Sequence, residues 1–329
     1  MLVRPHFQRL VERARMRPAV RAGFVFPCDR DWLQLALSAA FAGFLDPVLV
    51  GPEARIRDVA AHAGLDISRL PITNTPDSTR AAAAFAIELA RTGRVGALVR
   101  GSLANEDLLA PILASGSGVR GERRLSHAHF VDLPGRADGL LLADAVLNFV
   151  PGLGAKKDIV HNTIELAATI GIREPRVAVL AGIGAVNQAF SSTVDADVLK
   201  VMGSQGLFPG AIVEGPFTPD CALSAEVARL HGLTGEVAGQ ANVLIAPSME
   251  VGSMLLRTMT SLTGGFAAGI VLGAHVPVVL PTRMDSMEAR IASCVLAMLY
   301  ATRTGEESEA GEAALATPAS PRERHVSAR

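Results

Sequence analysis

The sequence predicts an α/β protein built on a parallel sheet, and three observations carry that expectation. Short apolar runs alternate with longer stretches at helical spacing, the pattern of βαβ units. Glycine is frequent, 31 of 329 residues, while aromatics make up only 4%; small residues of this kind fill tight strand–helix corners. The chain is 49% hydrophobic and 19% charged, enough apolar material for a sizeable core, and its length suits two domains of ordinary size.

The elements follow in order. Residues 3–18 alternate Arg with apolar positions at helical spacing and read as a surface helix. Ala22–Phe26 is a short buried strand, and Asp29 or Asp31 caps a helix running to about Phe44. Pro47–Val50 is a second strand, followed by a helix over 53–63 that Gly64 stops. Thr79–Arg91 is an alanine-rich helix. Val95–Val99 is a strand opening into Gly101-Ser102-Leu103, and a helix at 105–114 comes next. Leu125–Leu133 reads as a strand with His127 and His129 on one face. Gly139–Asp144, Arg176–Ala181, Ala211–Val213 and Ala241–Ala246 are further strands. Helices are expected at 155–170, 195–205, from Asp220 to Leu230, and over 251–262. The closing stretch, Gly264–Arg290, holds a small-residue run, two apolar pieces at Ile270–Leu272 and Val276–Leu280, then Pro281-Thr282-Arg283 and a helix from about Met287 to Tyr300. From Thr304 the chain turns polar, small and charged, the composition of a disordered tail.

Composition also excludes classes of function. A formal net charge of −1 gives no basic excess for nucleic acid or an anionic membrane surface. Cys28, Cys221 and Cys294 lie far apart with no CxxC, which suits a reducing, cytoplasmic setting and argues against a disulfide framework or a zinc cluster. The basic N-terminus lacks an apolar core, so no signal peptide is expected. The apolar run 264–281 is long enough to raise a membrane span, but its Gly and Pro punctuation, His275 and the adjacent Arg283 favour buried parallel strands.

Candidate site residues come from strand ends. In open α/β sheets ligands bind beyond the carboxyl ends of the strands, and Gly101-Ser102, Asp144, Gly182, Glu214-Gly215 and Pro247 all follow apolar runs. Turn chemistry alone accounts for any one of them. Thr282 and Arg283 at the last strand end offer a hydroxyl, a guanidinium and backbone N–H groups at a helix start, an anion-binding set; the competing reading is a strand–helix corner with Arg283 in solvent. Asp144 and Asn148 sit four apart, as a site pair or as a turn with its cap. Asp220 is a site acid or a helix cap. Gly182-Ile-Gly184 lacks the third glycine of a dinucleotide fingerprint, no P-loop occurs, and His127 with His129 has no third ligand for a metal. No GxSxG or cysteine–histidine signature marks a nucleophile.

The stretches GSLANEDLL at 101–109, ERRLSHAHFVDLPG at 122–135, LLLADAVLNFVP at 140–151, DIVHNTIELAATIGIREPRVAVLAG at 158–182, EGPFTPDCALS at 214–224, VAGQANVLIAPSMEVGSML at 237–255 and AAGIVLGAHVPVVLPTRMDS at 267–286 resemble the phosphate acetyl/butyryl transferase family. The form most similar is the phosphotransacylase region of bifunctional enoyl-CoA hydratase/phosphate acetyltransferase proteins, with no hydratase region expected here. The resemblance implies a two-domain, three-layer αβα fold, isopropylmalate-dehydrogenase-like, with the active-site cleft between domains. The implied division is 1–136 plus 271–303, then 137–270, with 304–329 a disordered tail. It also implies a homodimer and reversible acyl transfer between coenzyme A and inorganic phosphate, with coenzyme A as substrate, no permanently bound cofactor and no metal.

The family's Ser-Arg motif falls on Thr282-Arg283. The resemblance then implies Arg283, Thr282, Asp220 and Asp285 as catalytic residues, and Ser102, Asp144, Asn148, Ser253 and Arg257 as substrate-binding residues. A carboxylate takes the thiol proton, and no covalent enzyme intermediate forms. Departures stand at Ser253, where the family usually has Asn, at Arg257, usually Lys, and at Asn242, usually Asp. They motivate a second expectation, a weakened or regulatory binder of coenzyme A or acyl phosphate on the same fold. A third, an NAD-dependent hydroxyacid decarboxylase on the related two-domain fold, has the missing glycine against it.

Overall fold

The structure, a computed structural model, describes residues 4–316, with side-chain surroundings for 4–303. In chain order the elements are α1 (Pro5–Arg15), β1 (Val20–Val25), α2 (Arg30–Phe41), β2 (Leu45–Gly51), α3 (Glu53–Ala63), β3 (Ile72–Asn74), α4 (Thr79–Arg91), β4 (Ala97–Arg100), α5 (Asn105–Leu113), β5 (Ser126–Asp132), β6 (Leu140–Ala143), α6 (Leu153–Thr169), β7 (Arg176–Leu180), α7 (Ser191–Ser204), β8 (Ile212–Phe217), α8 (Pro219–Leu223), α9 (Ala225–Leu230), β9 (Val243–Ile245), α10 (Met249–Ser261), β10 (Phe266–Leu272), β11 (Val278–Val279) and α11 (Met287–Ala316). Local chemistry sets many of these bounds. The Asp29 and Ser78 side chains accept the N–H groups of Asp31 and Ala81 at the starts of α2 and α4. Gly64 ends α3 in the left-handed region at φ 66°.

All eleven strands among the described residues form one sheet, ordered β3-β2-β1-β4-β11-β10-β5-β6-β9-β7-β8. The first five pair in parallel, as do β6, β9, β7 and β8. Between these halves lie three antiparallel pairings, β11 with β10, β10 with β5, and β5 with β6. The expectation of parallel strands over 264–281 is corrected here: only β11 runs parallel, to β4. The connections decide it. A parallel crossover takes about a dozen residues or more, whereas 273–277 and 133–139 are short links that permit only a reversal; Gly273 makes the first at φ 91°.

The sheet is covered on both faces by helices, the α/β three-layer arrangement the sequence predicts. A main apolar cluster joins Phe24, Leu35, Leu49, Leu98, Ile112, Leu166, Ile270 and Leu296, and a second gathers Val131, Leu142, Leu180, Phe217 and Met259 under the other half. Three further boundaries differ from the sequence reading. Glu214 and Gly215 lie inside β8 rather than past its end. The helix from Asp220 breaks at Ser224, which caps α9. α11 continues to Ala316, beyond the expected end at Tyr300, and residues 317–329 of the expected tail lie outside the described residues. Among the described residues no helix is long and apolar enough to cross a membrane.

Asp132 ties α1 to the middle of the sheet. No side chain of its own caps α1; instead Asp132 on β5, itself buried, accepts the N–H groups of His6 at 3.0 Å and Phe7 at 2.9 Å. Asp132→Ala leaves both amides unpaired and is expected to lower stability by about 1–3 kcal/mol. A urea unfolding midpoint that does not move in this variant contradicts the assignment.

Candidate active site

β1, β4 and β11 are adjacent and parallel, so their carboxyl ends open at one edge of the sheet. Close packing builds that edge. Gly101 donates to the Val25 carbonyl at 2.9 Å and Ser102 to the Phe26 carbonyl at 2.8 Å. A Cβ on Gly101 would stand 2.4 Å from the Val25 oxygen and 2.6 Å from that of Phe26, a separation only glycine allows. Ser102 is thereby fixed, and its Oγ is shielded from solvent without a hydrogen-bond partner.

Arg100, the last residue of β4, staples two strand ends together. Its Nη1 donates to the Leu103 carbonyl at 2.6 Å and its Nη2 to the Pro281 carbonyl, while Nε is buried and unpartnered. Burial, chiefly, lowers the pKa of this guanidinium, and Arg283 acts in the same sense; Asp285 and Glu106 oppose. A partly desolvated cation beside a second cation is a place where an anion gains most.

The segment after β11 supplies that second cation. Arg290, whose side chain is only 5% exposed, donates from Nε to the Thr282 carbonyl at 3.1 Å and from Nη2 to that of Arg283 at 3.2 Å. Thr282 donates its N–H to Asp285 Oδ2 at 2.6 Å. Arg283 is 69% exposed and meets Asp29 Oδ2 through Nη2 at 2.7 Å. The Trp32 ring lies 4.8 Å from the Arg290 guanidinium and 5.6 Å from that of Arg100. Between these groups opens a cavity of about 400 Å³ lined by Trp32, Thr79, Arg100, Ser102, Asp107 and Arg283. A larger cavity, about 870 Å³ beside Gly121 and Asn162, opens elsewhere. The smaller one is the cavity that Ser102 and Arg283 line together.

The structure therefore brings together Ser102, Thr282, Arg283 and Asp285. It does not bring the remaining strand-end residues to the same edge. Three successive antiparallel pairings separate the halves, so β6, β7, β8 and β9 run opposite to β1, β4 and β11, and their carboxyl ends face the other way. Asp144, 2% exposed, spends both carboxylate oxygens on its own loop and on β5: Oδ1 accepts from Val146 N at 2.7 Å and Leu147 N at 2.9 Å, Oδ2 from His127 N at 3.1 Å and Asn148 Nδ2 at 2.6 Å. Asn148 also donates to the Leu125 carbonyl at 2.9 Å.

Ser253 and Arg257 lie one turn apart on α10, half-buried and exposed respectively. The neighbouring Gly252 has no room for a Cβ, which would stand 2.2 Å from the Asp144 carbonyl. Asp220 is exposed in the first turn of α8, its pKa lowered by a hydrogen bond from the Thr218 side chain and then by the Cys221 N–H. Asn242 serves the fold, accepting Arg176 N at 2.8 Å. The halves approach where a cavity of about 710 Å³ is lined by Asn105, Glu106 and Leu109 of α5 and by Leu147, Asn148 and Phe149 across from them. The first turn of α5 thus borders both cavities.

Sequence reasoning missed Arg100, Asp29, Trp32 and Arg290 as site residues. Arg100 carried a readable signal, an arginine ending an apolar strand directly before Gly101-Ser102.

His127 and His129 stand where expected, on one face of β5, with ring centroids 4.3 Å apart and both Nδ1 atoms unpartnered. Gly269 on β10 faces them; a Cβ there would come within 2.4 Å of the His127 ring. Among the described residues no cluster of three or more His, Cys, Asp or Glu side chains is arranged to hold a metal ion.

A family model described as phosphate acetyl/butaryl transferase matches residues 73–298. The chain is 44% identical to a phosphate acetyltransferase of Rhizobium meliloti over 297 residues, 90% of this chain and 94% of the relative. It is 32% identical to a phosphate butyryltransferase of Clostridium acetobutylicum over 295 residues, 90% and 98% of the two chains. A branched-chain phosphotransacylase from Enterococcus faecalis superposes with a TM-score of 0.76 at 26% identity, covering 86% of this chain and 99% of the other.

Burial pushes the His127 pKa down to about 3 and holds His129 well below its ordinary value as well, with the His127 ring acting in the same sense. Above about pH 6.5 the imidazoles are neutral in folded and unfolded chains alike. Below it the unfolded chain takes up protons that the folded His127 refuses until about pH 3, so stability is full above about 6.5 and falls as the pH drops. His127→Gln is expected to make that fall shallower in urea titrations run between these limits. An unchanged slope shows that His127 does not titrate as described.

Proposed function

The chain belongs to the phosphate acetyl/butyryl transferase family of enzymes, and we propose that it moves a short acyl group reversibly between coenzyme A and inorganic phosphate. One observation carries the placement of the phosphate: Arg100, Ser102 and Arg283 line one cavity, and Ser102 Oγ and Arg100 Nε are buried without hydrogen-bond partners. Buried polar atoms without partners cost stability, and a phosphate-sized oxyanion in this cavity offsets the charge of two guanidiniums. Thr282, the residue before Arg283, is exposed.

The coenzyme approaches along α5, whose first turn joins the phosphate cavity to the larger cleft between the halves. In the direction that forms the thioester, the sulfur–carbon bond forms, the carbon–oxygen bond to phosphate breaks and the phosphate leaves with the electron pair. The thiol proton passes to a carboxylate. Asp285, already at Thr282, fits that role better than Asp220, which lies on the other half of the sheet. Arg283, Arg100 and Ser102 offset the charge that develops on the departing oxygens. Both substrates are held together and the groups react directly, so no protein nucleophile is required.

The test is phosphate-dependent release of free thiol from acetyl-, propionyl- and butyryl-CoA. Arg283→Ala is expected to lower kcat/KM roughly 10²–10³-fold, with little change in stability because the side chain is 69% exposed. Ser102→Ala is expected to lower it about tenfold, the loss of one hydrogen bond to a charged group. Tight coenzyme A binding with no thiol release from any acyl chain supports the alternative, a binder without transferase activity.

A further inference from the structure

The first turn of α2 holds two acids and the chain's single tryptophan in the run Cys28-Asp29-Arg30-Asp31-Trp32, and all three side chains contact arginines of the 283–290 segment. Given the phosphate site proposed above, we infer that Asp29 is a positioning residue that sets phosphate affinity by holding Arg283 in its binding geometry.

The carboxylate is anchored at both ends. Oδ1 accepts the N–H of Asp31 at 2.9 Å as the helix cap, and Oδ2 accepts Nη2 of Arg283 at 2.7 Å. Asp29 is 26% exposed against 69% for Arg283, so the rigid partner is the acid and the mobile one is the arginine. The backbone of Arg283 is already fixed, because Arg290 holds its carbonyl, and Arg290 is in turn placed by Trp32 at 4.8 Å and by Asp31 at 3.7 Å. What remains free without Asp29 is the side chain itself, a long stem rich in rotamers. Asp29 engages Nη2 alone, and a guanidinium carries five N–H donors, so the contact orients the group and leaves donors for a second oxyanion.

Two effects oppose each other when the acid is removed. Loosening an immobilised arginine weakens phosphate binding about tenfold. Removing a negative charge some 6 Å from the phosphate strengthens it, through water, by a factor of about three. The ordering effect is the larger, and the exposure of the pair shrinks the charge effect further.

The experiment measures phosphate binding by titration calorimetry and, in parallel, KM for phosphate and for acyl-CoA, in the wild type and in D29S, D29N and D29E. Serine keeps the helix cap and removes the arginine's partner. D29S carries both effects, so it is expected to weaken phosphate binding about threefold and raise KM for phosphate alike, with KM for acyl-CoA and the melting temperature nearly unchanged. D29E is expected to match the wild type, and D29N, which keeps an acceptor oxygen but loses the charge, to bind phosphate as tightly or up to about threefold more tightly. The inference is overturned by D29S binding phosphate as tightly as the wild type or more tightly, by both KM values rising together with a fall in melting temperature, or by a wild type that binds no phosphate. A wild type that binds phosphate with this dependence on Asp29 but transfers no acyl group supports the inference and removes the transferase reading.

Discussion

Everything at the candidate site depends on the return of the last strand into the sheet of the first half. β11 is short, yet Val278 and Val279 pair with Leu98 and Val99, and Leu98 donates to the Pro277 carbonyl at 3.0 Å. That insertion sets residues 281–290 against the ends of β4 and β1. Arg100 then reaches the Pro281 carbonyl across 181 positions of sequence, and Arg283 reaches Asp29 across 254. No local rule makes these contacts. They follow from the apolar faces of β4, β10 and α11 closing over one another, with Leu98, Val278, Ile270 and Leu296 all fully buried.

Three guanidiniums crowd this edge: Arg100, Arg283 and Arg290. Their like charges are tolerated because each is tied down separately. Carbonyl oxygens accept from both Arg100 and Arg290, the Trp32 ring lies near both, and Asp29 and Asp31 face Arg283 and Arg290. The residue of this arrangement is a positive field with three orphaned polar atoms, Arg100 Nε, Ser102 Oγ and Trp32 Nε1. Each orphan costs roughly 1–3 kcal/mol. A fold free of binding duties would be expected to remove them, and local rules are broken most readily where a ligand completes the set.

Much of this was legible in the sequence, for identifiable reasons. α4 was read at its full extent from its alanine-rich run, and Gly64 marked the end of α3. Strand ends picked out Ser102 and Arg283, which line one cavity. β3 escaped because three half-exposed residues carry no periodicity. The direction of β10 escaped because a strand buried on both faces shows the same apolar run whether parallel or antiparallel; only the length of its links distinguishes the two. Asp144 and Asn148 were recognised as a pair, but sequence spacing does not reveal that neighbouring amides take up the carboxylate. Asp29 was read as a cap, which it is, and its second oxygen has a role set entirely by distant residues.

The joint between the halves has a mechanical consequence. β5 and β10 pair along seven residues each, from Ser126 with Leu272 to Asp132 with Phe266, and hydrogen bonds run through them from one parallel block to the other. No loose tether lies at this junction. Widening the cleft beside α5 therefore has to be accommodated by torsion within a continuous plank of strands, an elastic deformation spread over the β-sheet, rather than by swivelling about a single backbone bond.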